Sequence, residues 1–161
     1  MLYLLDANTL IRANADYYPI DRIPHFWQWL IDRGNAGLVK VPNEIADEVT
    51  AGRDEVSDWL KEETAKNALR LAERVDLAAL RHVVGTGYAP DLDDTELQKI
   101  GKDPFLVAYA LGKSDRLVVT KEQSRPSKQR ANRKVPDVCD VCGVRWLTDF
   151  AFYRAADFRI I

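Results

Sequence analysis

Short apolar runs alternate with longer segments of helical periodicity along the whole chain. Four runs are typical of strands buried on both faces of a parallel sheet, and they cover residues 2–5, 38–41, 117–120 and 145–147. Between them, apolar residues recur every three to four positions, which predicts amphipathic helices. The alternation predicts one domain over residues 1–161, a three-layer α/β/α fold with a central parallel sheet of four to five strands.

Several helix boundaries carry recognisable signals. Gly34 is a plausible stop for the first long helix, and Asp54 can cap a helical region that continues, with a break, to about His82. Gly85-Thr86-Gly87 and Pro90 indicate a loop. Asp93 and Glu96 have the spacing of a capping box, and Asp103 precedes Pro104 at the start of a nearly all-apolar helix, which makes Asp103 an N-cap candidate.

Composition sets broad limits on the function. Hydrophobic residues make up 47% and charged residues 30% of the 161 residues, as in ordinary globular proteins. No apolar run approaches the length of a membrane span and no signal peptide is evident, so we expect a cytoplasmic protein without membrane association. Cys139 and Cys142 supply only half of a zinc site, and buried thiols are the favoured interpretation.

The net charge of −2 does not indicate a nucleic-acid-binding protein, but the charge distribution is uneven. Residues 121–134, which we call the basic segment, hold six basic residues and one acid. The segment directly follows the third predicted strand, so it leaves the sheet at the edge where ligands bind in open α/β folds. Lys121, Arg125, Lys128 and Arg130 are the predicted contacts to nucleic-acid phosphates, and a solvated loop or a surface covered by a protein partner is the alternative.

Four acids occupy equivalent places in this layout. Asp6 ends the first strand, Glu48 lies on the helix after the second, Asp103 opens the apolar helix, and Glu122 follows the third strand. Each has a structural explanation when it is taken alone, such as helix capping for Asp6 or Asp103. Four carboxylates at one edge would repel each other unless they were protonated or held a cation, and oxygen ligands select Mg²⁺, with Mn²⁺ as a substitute.

Asp6-Ala7-Asn8, Glu48-Val49-Thr50-Ala51-Gly52, Asp103 with its alanine-containing helix and Thr120-Lys121-Glu122 follow one another in the order found in PIN domain nucleases. The chain resembles that family over nearly its whole length, in particular a PIN-like subgroup of VapC-type toxin ribonucleases. Two features depart from the family pattern: Glu122 stands where Asp is usual, and residues 124–135 form a longer loop.

The resemblance implies a Mg²⁺-dependent endoribonuclease with Asp6, Glu48, Asp103 and Glu122 as catalytic metal ligands. Asn8 and Thr120 would orient those carboxylates, although a helix start and a strand end explain them equally well. RNA is the implied substrate, and an antitoxin protein or a second copy of the chain is the candidate protein partner.

Two other interpretations remain open at this stage. One is a PIN-like module that binds RNA or a protein without cleaving, which the replacement of Asp by Glu122 suggests. The other is a phosphohydrolase of the haloacid dehalogenase type, which also begins with a strand ending in Asp. That class needs a second Asp two residues later, where this chain has Asn8, so the sequence argues against it.

Overall fold

The computed structural model describes residues 1–161, and its central element is a sheet of four parallel strands flanked by helices in a three-layer α/β/α arrangement. The strands are β1 (Leu2–Leu5), β2 (Val39–Lys40), β3 (Arg116–Val119) and β4 (Trp146–Leu147), in the spatial order β2-β1-β3-β4. All three strand pairs are parallel, and Leu5 stands opposite Val119 at the carboxyl ends of β1 and β3. The predicted fold class is therefore confirmed.

Ten α-helices surround the sheet. In chain order they are α1 (Ala7–Arg12), α2 (Pro24–Asn35), α3 (Asn43–Thr50), α4 (Glu55–Lys61), α5 (Glu63–Leu69), α6 (Leu77–His82), α7 (Asp94–Ile100), α8 (Asp103–Ala108), α9 (Val135–Cys142) and α10 (Asp149–Ala155). Two of them, α1 and α6, continue as π-helical segments over Ala13–Tyr17 and Val83–Tyr88. None of the helices is long and apolar enough to cross a membrane.

The predicted strands are found with shifted ends. β1 matches its prediction, β3 begins one residue earlier than predicted, and β2 and β4 are each shorter. β2 is shorter because Val41 turns away from β1: it accepts a backbone hydrogen bond from Leu71 and donates one to Leu69. An extended stretch after α5 therefore adds one isolated bridge to this side of the sheet.

The region predicted as one broken helix from Asp54 to His82 is three separate helices. Asp54 caps the first of them, α4, by accepting a hydrogen bond from the backbone N–H of Ser57. The chain is extended at Glu62 and again from Arg70 onward, so the helical periodicity does not reflect one continuous element. Extended residues after α5 make ion pairs instead, with Arg70 bound to Asp47 and Glu73 bound to Arg116.

The loop predicted from Gly85 to Pro90 is wrong in its first half, because Gly85-Thr86-Gly87 wind into the π-helical segment, whereas the chain leaves the helix at Ala89 and Pro90 lies in a turn. A Cβ atom at Gly87 would stand only 2.6 Å from Cγ1 of Val138, so glycine is required here for close packing against α9. The capping box of Asp93 and Glu96 is present at α7 as predicted.

The hydrophobic core is one contiguous cluster that includes the buried strands β1 and β3 and the facing sides of the helices. Leu4, Leu5, Val118 and Val119 are fully buried in it, as expected for the central strands of a parallel sheet. Cys139 is also buried in the core, whereas Cys142 is half-buried. Burying these strands holds the residues that directly follow them, Asp6 and Thr120, at fixed positions on the sheet edge.

Candidate active site

The four predicted acids lie on four elements that meet near the carboxyl ends of β1 and β3. Asp6 follows β1, Glu48 is in the last turn of α3, Asp103 is the first residue of α8, and Glu122 comes three residues after the end of β3. Their charges act on one another: repulsion from each of the other three acids contributes to a raised pKa of Asp103. The fold thus brings the four carboxylates into one electrostatically coupled group.

Asp6 is the most deeply buried member of the group, with 3% of its surface exposed. Its Oδ2 accepts hydrogen bonds from Nδ2 of Asn8 and from the hydroxyl of Thr120, each at 2.9 Å. The pKa of Asp6 is raised to about 7: burial is the largest cause, the Thr120 hydrogen bond opposes the rise, and the charges of Glu122 and Glu48 add to it. Asn8 and Thr120 therefore occupy the orienting positions predicted for them.

Asp103 is mostly buried and does not cap its helix. Lys102 occupies the N-cap position, and Asp103 makes no capping hydrogen bond, so the N-cap explanation of this residue is wrong. Its pKa is raised to about 8. Burial is the largest cause, repulsion from Asp6, Glu122 and Glu48 adds to the rise, and the charge of Lys134 opposes it. A mostly buried carboxylate with a strongly raised pKa that makes no capping hydrogen bond is a candidate for binding a ligand.

Glu48 and Glu122 are more accessible. Glu48 is exposed on α3, and partial burial of its carboxylate raises its pKa while Lys102 opposes the rise. Glu122 is half-buried, and its Oε2 accepts a hydrogen bond of 2.8 Å from the backbone N–H of Val135, the first residue of α9. Through this hydrogen bond Glu122 stabilises the N-terminus of α9.

A cavity of about 280 Å³ adjoins two of the acids, Asp103 and Glu122. Four cations also line it, namely Lys99, Lys128, Arg133 and Lys134. Tyr88 forms part of the wall, and its hydroxyl is buried without a hydrogen-bond partner. Acids beside several cations are the arrangement expected of a site that positions a phosphate group next to metal-binding carboxylates.

The cations predicted to bind nucleic acid are not equivalent in the structure. Lys121, Arg125 and Lys128 are exposed and form no ion pair. Arg130 instead forms ion pairs with Asp91 at 2.8 Å and with Glu96 at 2.9 Å. Its guanidinium group thus fastens the basic segment to α7 and to the residues before it.

The donor chemistry of the site fits a hard divalent cation, because all four acids offer oxygen atoms and two of them are buried with raised pKa values. The side-chain positions fit less closely: no group of three or more His, Cys, Asp or Glu side chains is arranged to hold a metal ion. Within the group, Asp6 and Asp103 are the acids whose pKa values are raised furthest, to about 7 and about 8.

Sequence reasoning missed several residues around this site. Arg12 and Tyr88 gave no signal, because Arg12 falls in a helical pattern and Tyr88 directly follows the glycines of the predicted loop. Asp149 could have been found, since it follows strand β4 much as Asp6 follows β1, and it is 1% exposed. Asp137 is likewise buried, and it accepts hydrogen bonds from Ser124 and from the backbone N–H of Arg125.

The fold and the site define a three-layer α/β/α domain with a cluster of acids at the carboxyl edge of its parallel sheet. The model of one family, described as "Domain of unknown function (DUF4411)", matches residues 3–160. The chain therefore belongs to the DUF4411 family. Searches of curated proteins and of solved structures give no match to this chain.

Proposed function

We propose that this protein is a metal-dependent ribonuclease that hydrolyses phosphodiester bonds of RNA. The observation that carries the proposal is the pair formed by the buried Asp6 and the mostly buried Asp103, whose pKa values are raised to about 7 and about 8 by burial and by the acids around them. Strongly perturbed carboxylates at the ligand-binding edge of a parallel sheet are typical of catalytic sites. Their order along the chain also matches that of the PIN domain nucleases.

The acids supply what hydrolysis of a phosphodiester needs. Asp6 and Asp103 would hold Mg²⁺ or Mn²⁺, with Glu48 and Glu122 completing the set. A divalent cation held by these residues would supply the activation of water and the stabilisation of charge that the reaction needs. Thr120 and Asn8 fix the carboxylate of Asp6 through the two hydrogen bonds described above, so its orientation does not depend on substrate.

The cations of the cavity account for the binding of an RNA strand. Without them, four acids would repel the backbone that the enzyme has to approach. Lys128, Arg133 and Lys134 line the cavity beside Asp103 and Glu122, where they can offset the charge of a phosphate. Contacts to phosphates position RNA without reading its sequence, so base preference has to come from other residues.

Substitution of Asp6 tests the catalytic assignment most directly. Asp6→Asn keeps the shape and the hydrogen-bond partners but removes one metal-binding charge, so cleavage of RNA with Mg²⁺ or Mn²⁺ should fall by at least about 100-fold, as expected when a transition-state interaction of about 2.7 kcal/mol is lost. The folded state should be retained, because a source of repulsion is removed. Cleavage is measured on a labelled single-stranded RNA, and folding by circular dichroism.

Glu63→Gln is the matched control, since Glu63 is an exposed carboxylate on α5 that does not contribute to the pKa of Asp6 or Asp103. It should cleave at the parent rate. Equal cleavage by Asp6→Asn and the parent protein would show that this acid is not catalytic.

The cellular role that goes with this proposal is that of a toxin neutralised by an antitoxin protein, which follows from the resemblance to toxin-type ribonucleases. Expression of the parent chain alone should then arrest growth, whereas expression of Asp6→Asn should not. Growth arrest by both chains would separate the toxicity from cleavage and refute this role.

A PIN-like module that binds RNA without cleaving it is the second candidate. It is favoured by the absence of a ready-made group of three metal ligands and by the use of Glu122 to bond the N-terminus of α9. In that case the parent protein and Asp6→Asn would both bind RNA, and neither would cleave it at any concentration of Mg²⁺ or Mn²⁺.

A further inference from the structure

A second cavity shares Glu122 and Lys134 with the cavity beside Asp103. It also has a volume of about 280 Å³, and no hydrophobic residue lines it. Its lining residues are Arg12, Lys121, Glu122, Gln123, Arg125 and Lys134. Four cations against one acid make this a site for an anion, and the acid is already engaged by the backbone N–H of Val135.

Arg12 is the one cation of this cavity that lies outside the basic segment, and its side chain is held in place. Its Nε donates a hydrogen bond to the hydroxyl of Tyr17 and lies 3.6 Å from Oδ2 of Asp149, which is almost completely buried. The guanidinium group also lies over the rings of Tyr17 and Phe150, at 5.0 and 5.6 Å from their centroids. Since only Nε is used, the two terminal amino groups remain free for a ligand.

Two further cations of the cavity are held through their backbones. The N–H of Lys121 donates to Oδ1 of Asn8 at 3.1 Å, and the N–H of Arg125 donates to Oδ2 of the buried Asp137 at 2.7 Å. Neither side chain forms an ion pair within the protein. The cavity is therefore built on fixed backbone positions, with its side-chain charges available for a ligand.

We propose that this cavity binds a phosphate of the RNA strand next to the one that lies beside Asp103 and Glu122. This inference rests on the proposed function. Arg12 contacts the phosphate through its terminal amino groups, which match two phosphate oxygens in a planar fork. Tyr17 and Asp149 are positioning residues that hold Arg12. Glu122 and Lys134 belong to both cavities, so two neighbouring phosphates place the strand across the acids.

Binding of RNA without any divalent metal tests this site separately from cleavage. The affinity of a single-stranded oligoribonucleotide is measured by fluorescence anisotropy, in the presence of a chelator, over a series of NaCl concentrations. Arg12→Gln should weaken binding roughly 5- to 10-fold at low salt and reduce the slope of log affinity against log salt by about 0.7, the value for one phosphate contact on a single strand.

Arg154→Gln is the matched control, because Arg154 is an exposed cation on α10 without an ion pair. It should leave the affinity and the slope as in the parent protein. Compared with Arg12→Gln, Arg12→Lys should restore most of the salt slope but not all of the affinity. Lysine keeps the positive charge but lacks the two terminal amino groups that match two phosphate oxygens. Arg125→Gln should resemble Arg12→Gln, and it keeps the backbone hydrogen bond that anchors the loop, so it tests the cavity even if Arg12→Gln folds poorly.

Tyr17→Phe tests the positioning role. It removes the hydrogen bond to Arg12 and should weaken RNA binding two- to three-fold in the parent protein. In the Arg12→Gln background it should have no further effect, which a merely structural role of Tyr17 would not produce.

A chemically modified RNA identifies the phosphate. Replacing single phosphates with neutral methylphosphonates should reveal one position, next to the cleaved bond, whose modification weakens binding to the parent protein but not to Arg12→Gln. Inorganic phosphate serves as the second arm. Competition by millimolar phosphate without any such position on the RNA would assign the cavity to a free phosphate and overturn the proposal.

The remaining outcomes are also decisive. An unchanged salt slope in both Arg12→Gln and Arg125→Gln overturns the site, and it leaves this surface to an acidic protein partner. If the salt slope depends on Arg12 but the protein never cleaves RNA, the ribonuclease proposal is refuted and the phosphate site is supported. Cleavage by the parent protein together with an unchanged slope in both variants supports the ribonuclease and refutes the phosphate site. A parent protein that does not bind RNA refutes both proposals.

Discussion

Burial is the main cause of the raised pKa values of Asp6 and Asp103, and the neighbouring groups then affect the pKa of each residue differently. Asp6 is almost completely and Asp103 largely removed from water, which disfavours the charged form of each. Asp6 recovers part of that cost through the hydrogen bond from Thr120, whereas Asp103 is also repelled by Asp6, Glu122 and Glu48, and the charge of Lys134 opposes the rise of its pKa. The pKa values of both acids are raised, so the charge of each destabilises the metal-free protein.

Asp103→Asn should make the metal-free protein more stable at high pH. The folded protein keeps the proton of Asp103 up to a pKa of about 8, whereas the unfolded chain loses it near the ordinary value of 3.8. Between these values the folded state binds more protons, so the stability of the parent falls as the pH rises. Asparagine does not titrate, so the variant should gain on the order of a few kcal/mol at pH 9, since one pKa unit corresponds to about 1.4 kcal/mol.

The measurement is urea unfolding of the metal-free protein at several pH values from 4 to 9. The gain should shrink as the pH falls and be smallest at pH 4, close to the ordinary value of 3.8 at which the unfolded chain also begins to bind the proton. Asp58→Asn, an exposed acid on α4, should show no gain that grows with pH. A constant difference between Asp103→Asn and the parent would mean that the charge of Asp103 has no bearing on stability.

At the scale of elements, the basic segment is a long loop fastened at three places. Glu122 bonds the first residue of α9, Asp137 accepts hydrogen bonds from Ser124 and Arg125, and Arg130 binds Asp91 and Glu96. Arg130 also has a left-handed backbone with φ of 54°, which is costly for a residue with a side chain. Its two ion pairs hold it in that conformation, so the tip of the segment depends on them.

Arg130→Gln should therefore loosen the basic segment rather than remove a phosphate contact. The ion pairs are at the surface, so global stability should fall by no more than about 1 kcal/mol. Amide hydrogen exchange in residues 124–134 should become faster, while exchange in the central strands stays the same. Lys128→Gln is the comparison, since Lys128 is exposed and unpaired, and it should leave exchange unchanged. Unchanged exchange in Arg130→Gln would show that the ion pairs do not order the segment.

At the scale of the whole molecule, the strand order determines which residues meet. β1 and β3 are neighbours in the middle of the sheet, so the residues after them, Asp6 and Thr120, come into hydrogen-bond contact although 114 positions separate them. The helices α3 and α8 pack against each other and add Glu48 and Asp103 to the same edge. The cost of gathering these charges is offset when a cation binds, so metal binding and overall stability should be linked.

A divalent metal should accordingly raise the melting temperature. At a concentration of Mn²⁺ or Mg²⁺ near one hundred times the dissociation constant, binding to the folded state adds about 2.7 kcal/mol, which corresponds to a shift of about 5–10 °C for a chain of this size. Differential scanning fluorimetry at pH 8 measures the shift, with NaCl matched in ionic strength. Glu63→Gln should show the full shift and Asp103→Asn much less of it. An equal shift in all three proteins would place the metal elsewhere.

The local pattern of this sequence was enough to predict the fold class and the helix caps. Four short apolar runs separated by helical spacing predict a parallel sheet, because both faces of its strands are buried, and the caps of α4 and α7 depend only on residues a few positions apart. The four acids were predicted in the same way, each at the end of a strand or in the first or last turn of a helix. Asn8 and Thr120 were predicted as the partners of Asp6 from their place beside those acids.

The arrangement around those acids was decided only by tertiary structure. Gly87 suggested a loop, but its role is to let the π-helical segment pack against Val138, which is far away in the sequence. Arg130 looked like a free cation until the fold placed Asp91 and Glu96 beside it. Arg12 became part of an anion site because Asp149, from the last helix, holds it. Short-range patterns record which side chains are buried and where elements begin, whereas the partners of a charge depend on which distant segments the core brings together.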